Sequence, residues 1–290
     1  MYNLNNLVKK IILVSIPKFI PNPIILQYWL ILSKVQGKLT KHHYITKISK
    51  YQSNLSNDLY LISMTDGKLL IQNRTRISRF IRGKDYANKR LINQYIFTQD
   101  ISDFKVMRPG NCVLDIGSNI GEFAIGIATF TNCTKIFAFE PDPIAFECLT
   151  YNINHSNYQD RIVPIPIALS GKTGRQIFYL STEEANSSLF KPKEINSSIS
   201  VDCMRGDHFI NNLKLEIIEI LKMDAEGYEP EVLEGFGLLI NRINFFAIDV
   251  GPERDGKSTD GEVKRILLNT ISKVSLSASV GKRIFLNGER

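Results

Sequence analysis

The chain has 290 residues, is 43% hydrophobic and carries a formal net charge of +7; that length buries a sizeable core and that composition excludes wholesale disorder. The charge is uneven, because residues 1–50 hold eight lysines and no acid, and the first acid is Asp58. The remainder is close to neutral and lacks the basic face expected of a domain that grips nucleic acid, so no nucleic-acid partner is expected.

The expected division is a basic, partly apolar extension over residues 1–55, a lead-in hairpin and helix over 56–110 packed on the main domain, and a ligand-binding domain over 111–290. From Ile11 to Val35 the chain is strongly apolar, but Lys18 interrupts the run and Pro21 and Pro23 break any helix. Its longest clean part, Ile24 to Leu32, falls short of the ~20 residues of a spanning helix, and no cleavable leader is expected. Tyr28 and Trp29 among acid-free lysines suit peripheral contact of residues 1–50 with an anionic membrane surface, or equally a helix packed on the main domain. Apolar runs on both sides of Thr65-Asp66-Gly67 predict a hairpin from Leu59 to Ile71. Arg74, Arg76, Arg79 and Arg82 then face solvent or an anionic acceptor. Lys84 to Thr98 reads as a helix with Leu91, Ile92, Tyr95 and Ile96 among its apolar positions, and Arg108-Pro109-Gly110 as a turn.

Cys112 to Gly121 is the centre of the chain. An apolar strand (Val113, Leu114, Ile116) breaks into small residues and reopens as a helical pattern from Glu122 to Ile127. Glycines there tolerate positive φ and let a ligand lie against bare backbone, beside the unpaired N–H groups of a helix start. A dinucleotide fingerprint spaces its glycines as Gly-x-Gly-x-x-Gly, whereas this stretch is Asp115-x-Gly117-x-x-x-Gly121. An acid at the first position repels phosphate and suits an ammonium group. Glu140 ends the next apolar run, Ile136 to Phe139, where a carboxylate can accept ribose hydroxyls. Together these point to S-adenosylmethionine, which has an ammonium and no phosphate, and to a methyltransferase.

After Pro141, Asp142 suits an N-cap and Pro143 a first turn for a helix to about Asn154. Ile162 to Leu169 reads as a third strand near a sheet edge, given Pro164 and Pro166, with Ser170 at its end beside the adenine. Strands are expected at Gln176–Leu180 and Ser198–Cys203, separated by a polar loop with Asn186-Ser187-Ser188. A helix at Met204–Asn212, a strand at Glu216–Met223, a helix at Tyr228–Ile240 and a strand at Phe245–Val250 follow. A helix from Asp260 to about Lys273 and strands near Val274–Ser277 and Arg283–Leu286 close the chain. Such alternation predicts a mostly parallel sheet covered on both faces. Cys112, Cys133, Cys148 and Cys203 lack Cys-x-x-Cys spacing and disulfide density, as in a cytosolic protein with reduced thiols.

Ligands of open α/β sheets sit beyond the carboxyl ends of the strands. Lys222, Asp224 and Glu226 are spaced by two and share one face if the strand continues, with Tyr228 and Glu229 opening the next helix. Methyl transfer to a hydroxyl needs alignment and a base. Asp224 or Glu226 can be that base, bind acceptor hydroxyls, hold a divalent ion, or cap the next helix. The histidines offer no spaced ligand pair, and no metal is expected.

The runs Asp115-Ile116-Gly117-Ser118-Asn119-Ile120-Gly121-Glu122-Phe123, Phe139-Glu140-Pro141, Ala168-Leu169-Ser170 and Leu221-Lys222-Met223-Asp224-Ala225-Glu226-Gly227-Tyr228-Glu229 resemble the FkbM-type methyltransferase family over roughly 66–250. The segment from Asp202 to Leu215 and the basic extension depart from its pattern. The resemblance implies an α/β, Rossmann-like class I methyltransferase fold, a doubly wound seven-stranded sheet with an antiparallel final strand. It also implies S-adenosylmethionine held by Asp115, Gly117, Ser118, Asn119, Gly121, Glu140, Pro141 and Ser170. Lys222, Tyr228 and Glu229 are expected to line the acceptor site, with a glycan or small-molecule hydroxyl as acceptor. Alternatives are transfer to nitrogen, a metal-dependent glycosyltransferase-like enzyme, and a cofactor-binding scaffold without catalysis.

Overall fold

Successive residues of the central strands enter two different cores. In the computed structural model Val113, Ile136, Ala138, Ile220, Phe245 and Ala247 pack on one side, while Leu114, Phe137, Phe139, Leu221, Met223, Phe246 and Ile248 pack on the other. A strand pleat with apolar residues at both parities must be buried on both faces, which is the condition of a parallel sheet sandwiched by helices. The structure describes residues 27–29, 31–32, 45–65, 67–72, 77, 80, 84–96, 112–181, 187–193, 195, 197–271, 275–280 and 284–289. The N-terminal apolar run up to residue 26, the four arginines of 74–82, the turn at 108–110 and Asn186 lie outside them.

The sheet is built from β4 (Cys112–Ile116), β5 (Lys135–Phe139), β6 (Ile162–Ile165), β10 (Ile218–Met223), β11 (Ile243–Asp249), β12 (Ser275–Val280) and β13 (Ile284–Glu289). Its order is β12-β13-β11-β10-β4-β5-β6. β4, β5, β6, β10 and β11 are parallel, and β13 runs antiparallel to both β11 and β12. The chain moves from β4 outward to β6, then returns to β10 on the other side of β4. That reversal makes the carboxyl ends of β4 and β10 the switch point, outside which open α/β sheets place a ligand crevice.

One face is covered by α2 (Glu122–Phe130), α3 (Pro143–Asn154) and the end of α1 (Lys84–Tyr95), the other by α4 (Gly206–Leu213), α5 (Glu229–Phe236), the 3-10 turn Gly237–Arg242 and α6 (Asp260–Thr270). Asp142 caps α3 as its sequence predicts, accepting from the N–H groups of Ile144 and Ala145, with Pro143 in the first turn. The helix expected to run to Ile240 ends at Phe236, because Gly237 takes φ 51° and the chain tightens into the 3-10 turn.

The expected third strand is two strands in two sheets. β6 stops at Ile165, the proline at 166 supplies no N–H to a ladder, and Ala168–Ser170 forms β7. β7 joins β8 (Gly174–Leu180) and β9 (Ser197–Arg205) in a separate three-stranded sheet of order β7-β9-β8.

The chain divides into units 1–89 and 90–290. In the first, β2 (Leu59–Met64) and β3 (Gly67–Gln72) form the predicted hairpin, and β1 (Ile45–Lys50), absent from the sequence expectation, pairs with β2. All four cysteines are free and buried. No helix among the described residues is long and apolar enough to cross a membrane.

Candidate active site

The turn after β4 is folded around two neighbouring strand ends. Gly117 and Ser118 donate their N–H groups to the Phe139 carbonyl at 3.1 and 2.9 Å, and the Ser118 hydroxyl donates to the Asp115 carbonyl at 2.7 Å. Gly117, Asn119 and Gly121 adopt φ of 71°, 49° and 90°, conformations in which glycine costs least. Gly117 has a further reason to be glycine: a Cβ there would lie 2.0 Å from the Asp224 carbonyl oxygen. The open backbone at Gly117 therefore serves the close approach of the β10 end, a reason the sequence alone does not disclose. Asp224 N donates to the Ile116 carbonyl at 3.0 Å, completing the stitch.

Glu140 sits at the end of β5 with one carboxylate oxygen accepting from Asn119 N at 2.7 Å and the other from Asp142 N at 2.9 Å. Burial pushes its carboxyl up to about 7, against the opposing pull of those backbone donors. Each oxygen has a second lone pair, so the carboxylate can accept both hydroxyls of a vicinal diol presented at this edge. Pro141 follows it, half-buried, into the cap of α3.

Asp115, expected to meet a ligand ammonium, has a protein ammonium beside it in this structure. Its side chain is fully buried, and Lys222 Nζ stands 3.0 Å from its carboxylate. The β4–β10 register places these residues side by side, and both follow the pleat into the core containing Phe123. Lys222 Nζ also donates to the Gly117 carbonyl at 2.8 Å and lies 5.2 Å from the Tyr95 ring centroid and 5.9 Å from that of Phe123. Lys222 is thus an internal cation holding the two strand ends together, where the sequence suggested an acceptor ligand. Ion pairs this deeply buried gain little net stability, but breaking one leaves an uncompensated charge.

The acidic run beyond β10 also divides its roles. The strand ends at Met223 and Glu226 has φ 50°, so Lys222, Asp224 and Glu226 do not continue one strand face. Asp224 is half-buried and accepts the Tyr95 hydroxyl at 2.6 Å; Glu226 is buried. Glu229, 1% exposed, has one oxygen accepting from Ala225 N and Gly227 N at 3.1 and 2.9 Å, and the other from the Thr259 hydroxyl at 2.9 Å. Its carboxylate, expected to line the acceptor site, braces the turn from within, and burial pushes it up to about 7. The Tyr228 hydroxyl donates to Gln176 Oε1 at 3.5 Å, with burial raising its phenol. Ser170, expected beside a bound adenine, lies in the smaller sheet with its hydroxyl accepting from Gln176 Nε2 at 2.8 Å.

Further residues complete the wall. The Ser188 hydroxyl donates to the Ala225 carbonyl at 3.1 Å, so the described part of the polar loop touches the turn. Arg254 reaches the Gly227 carbonyl and the Glu231 carboxylate, and its guanidinium lies 5.2 Å from the Phe190 ring centroid. Tyr95, Thr259 and Arg254 carry no motif; only the polar tip on an otherwise apolar helix position hinted at Tyr95. Among the described residues no group of three or more His, Cys, Asp or Glu is placed to hold a metal ion.

The Methyltransferase FkbM domain family matches residues 115–271. The chain is 30% identical over 156 residues to the hexuronic acid methyltransferase AglP of Haloferax volcanii, covering 54% of this chain and 62% of that one. It is 27% identical over 183 residues to the 2-O-methyltransferase NoeI of Sinorhizobium fredii, covering 58% and 72%. A solved structure of methyltransferase FkbM from Methylobacillus flagellatus overlays with a TM-score of 0.44 at 18% identity, covering 74% of this chain and 54% of that one. The family match begins at Asp115, takes in Glu140 and the Asp224–Glu229 turn, and spans more than half of the sequence: the chain belongs to the FkbM methyltransferase family.

Proposed function

We propose that the protein is an S-adenosylmethionine-dependent O-methyltransferase acting on a hydroxyl of a carbohydrate, a glycolipid or a related natural product. The observation that carries the proposal is the pairing of two carboxylates at the crevice: Glu140 at the end of β5 and the half-buried Asp224 just beyond β10. Glu140 would accept the ribose hydroxyls, with the backbone of Gly117, Ser118, Asn119 and Gly121 and the side of Pro141 forming the floor. When bound, the cofactor supplies an electrophilic methyl group. Asp224 would act as the base that takes the acceptor hydroxyl's proton, a role worth about 10²–10⁴-fold in rate. Buried Glu226 is the second candidate for acceptor contact, less open to solvent than Asp224.

The acceptor class is supported by the relatives, one named for hexuronic acid and one for 2-O-methylation. The test is methyl transfer from S-adenosylmethionine to a panel of hexuronic and neutral glycosides, read by mass spectrometry of the product. A 14-Da gain on a sugar hydroxyl, abolished by Asp224→Asn, is expected; transfer to amines alone would overturn the proposal. A segment of residues 1–50 resting on an anionic membrane surface would bring the enzyme to glycolipid acceptors, and co-sedimentation with anionic against neutral vesicles decides it.

A further inference from the structure

We propose that Tyr95 is a positioning residue for the transfer step, its phenol fixing the orientation of the Asp224 carboxylate and holding it ionised towards the acceptor. The inference rests on the reading of Asp224 as the base. Tyr95 comes from the last turn of α1, 129 residues before its partner, and its hydroxyl donates to Asp224 Oδ2 at 2.6 Å, the length of a charge-assisted bond.

The ring has little freedom to point elsewhere. It is 1% exposed and packs edge-to-face on Phe123 and Phe285, with centroids 5.7 and 4.9 Å away. Lys222 Nζ stands 5.2 Å from its centroid, and the Tyr95 carbonyl accepts from Asn287 Nδ2 at 2.5 Å. A core tyrosine selected for packing alone would be served by phenylalanine; here three elements aim the hydroxyl at one carboxylate.

The charges around Asp224 make the bond consequential. Lys222 on β10 is the nearby cation, but its ammonium is already held by Asp115 of β4 and the Gly117 carbonyl. The Glu229 carboxyl on α5 is close enough for the Asp224 carboxylate to raise its proton affinity, and Glu226 lies in the same turn. Neighbouring acids disfavour a second negative charge, whereas a donated hydrogen bond favours it. Tyr95 thus works against the acids to keep the base unprotonated.

The experiment compares wild type, Tyr95→Phe and Asp224→Asn in the full chain. Phenylalanine keeps the ring among Phe123 and Phe285, so the fold is expected to survive and a melting curve checks it. Tyr95→Phe should bind S-adenosylhomocysteine within about twofold of wild type. Its transfer to a glycoside acceptor should slow by about tenfold, and the acidic limb of its pH–rate profile should move up by about one pH unit. A wild-type rate and an unmoved limb would overturn the proposal. Independently of activity, the wild-type protein should show a downfield, slowly exchanging hydroxyl proton that Asp224→Asn shifts upfield; its absence would also overturn it. Full transfer by Asp224→Asn, or no cofactor binding by wild type, would instead strike the underlying reading and take this inference with it.

Discussion

Replacing Glu229 by glutamine should change how stability depends on pH while leaving the site intact. The Glu229 carboxyl has an ordinary value of 4.5 and is pushed up to about 7, first by burial. A carboxyl that holds its proton more tightly when folded adds stability that is fully present below pH 4.5 and lost as the pH rises through 7. The difference between those values corresponds to about 3 kcal/mol. Glutamine reproduces the hydrogen-bond pattern of the protonated acid: its oxygen accepts from Ala225 N and Gly227 N, and its amide donates to the Thr259 hydroxyl, which can equally accept. Urea unfolding followed by circular dichroism between pH 5 and 8 gives both curves. Glu140 titrates in the same window in both proteins, so the informative quantity is their difference. Relative to wild type, Glu229→Gln should gain about 2.5 kcal/mol between pH 5 and pH 8, because part of the effect is already lost at pH 5. Parallel curves would refute the burial argument. Glu229→Ala, which strips an acceptor from three donors, should lose about 3 kcal/mol or more throughout.

Gly117→Ala should destabilise the domain by about 3 kcal/mol, because the new methyl meets the Asp224 carbonyl 2.0 Å away at a φ of 71°; a urea midpoint equal to wild type would contradict the packing. Lys222→Met should cost about 3–5 kcal/mol by leaving Asp115 buried without its cation. The Asp115→Asn/Lys222→Met double variant should recover much of that loss, and strict additivity in the unfolding free energies would deny the pair.

The strand, turn and helix from Cys112 to Phe130 are legible because local signals agree: an apolar run, small residues with positive φ, then helical periodicity. The Asp142–Pro143 helix start is legible for the same reason. What escaped depends on partners distant in sequence. Asp115 and Lys222 look like site residues one at a time, and only the β4–β10 register reveals that they neutralise each other inside the core. Glu229 reads from sequence as a helix-opening acid at the acceptor site, and only the fold brings Thr259, thirty residues on, against it. β1 was hidden among the lysines of the extension, where Ile45 and Ile48 are three residues apart and give no period-two alternation. The two prolines flagged a sheet edge but not that the chain would leave one sheet for another between Ile165 and Ala168.

Calorimetric titration with S-adenosylhomocysteine tests the central claim most directly, using wild type and Glu140→Ala. Glu140 meets two backbone donors and is placed to accept a ribose diol, so truncating it should weaken binding by at least about tenfold, the loss of one charge-assisted contact. Saturable wild-type binding that Glu140→Ala weakens is the predicted result. No heat of binding in the folded wild-type protein, or equal affinity in both, would contradict the account of this crevice as a methyl-donor site.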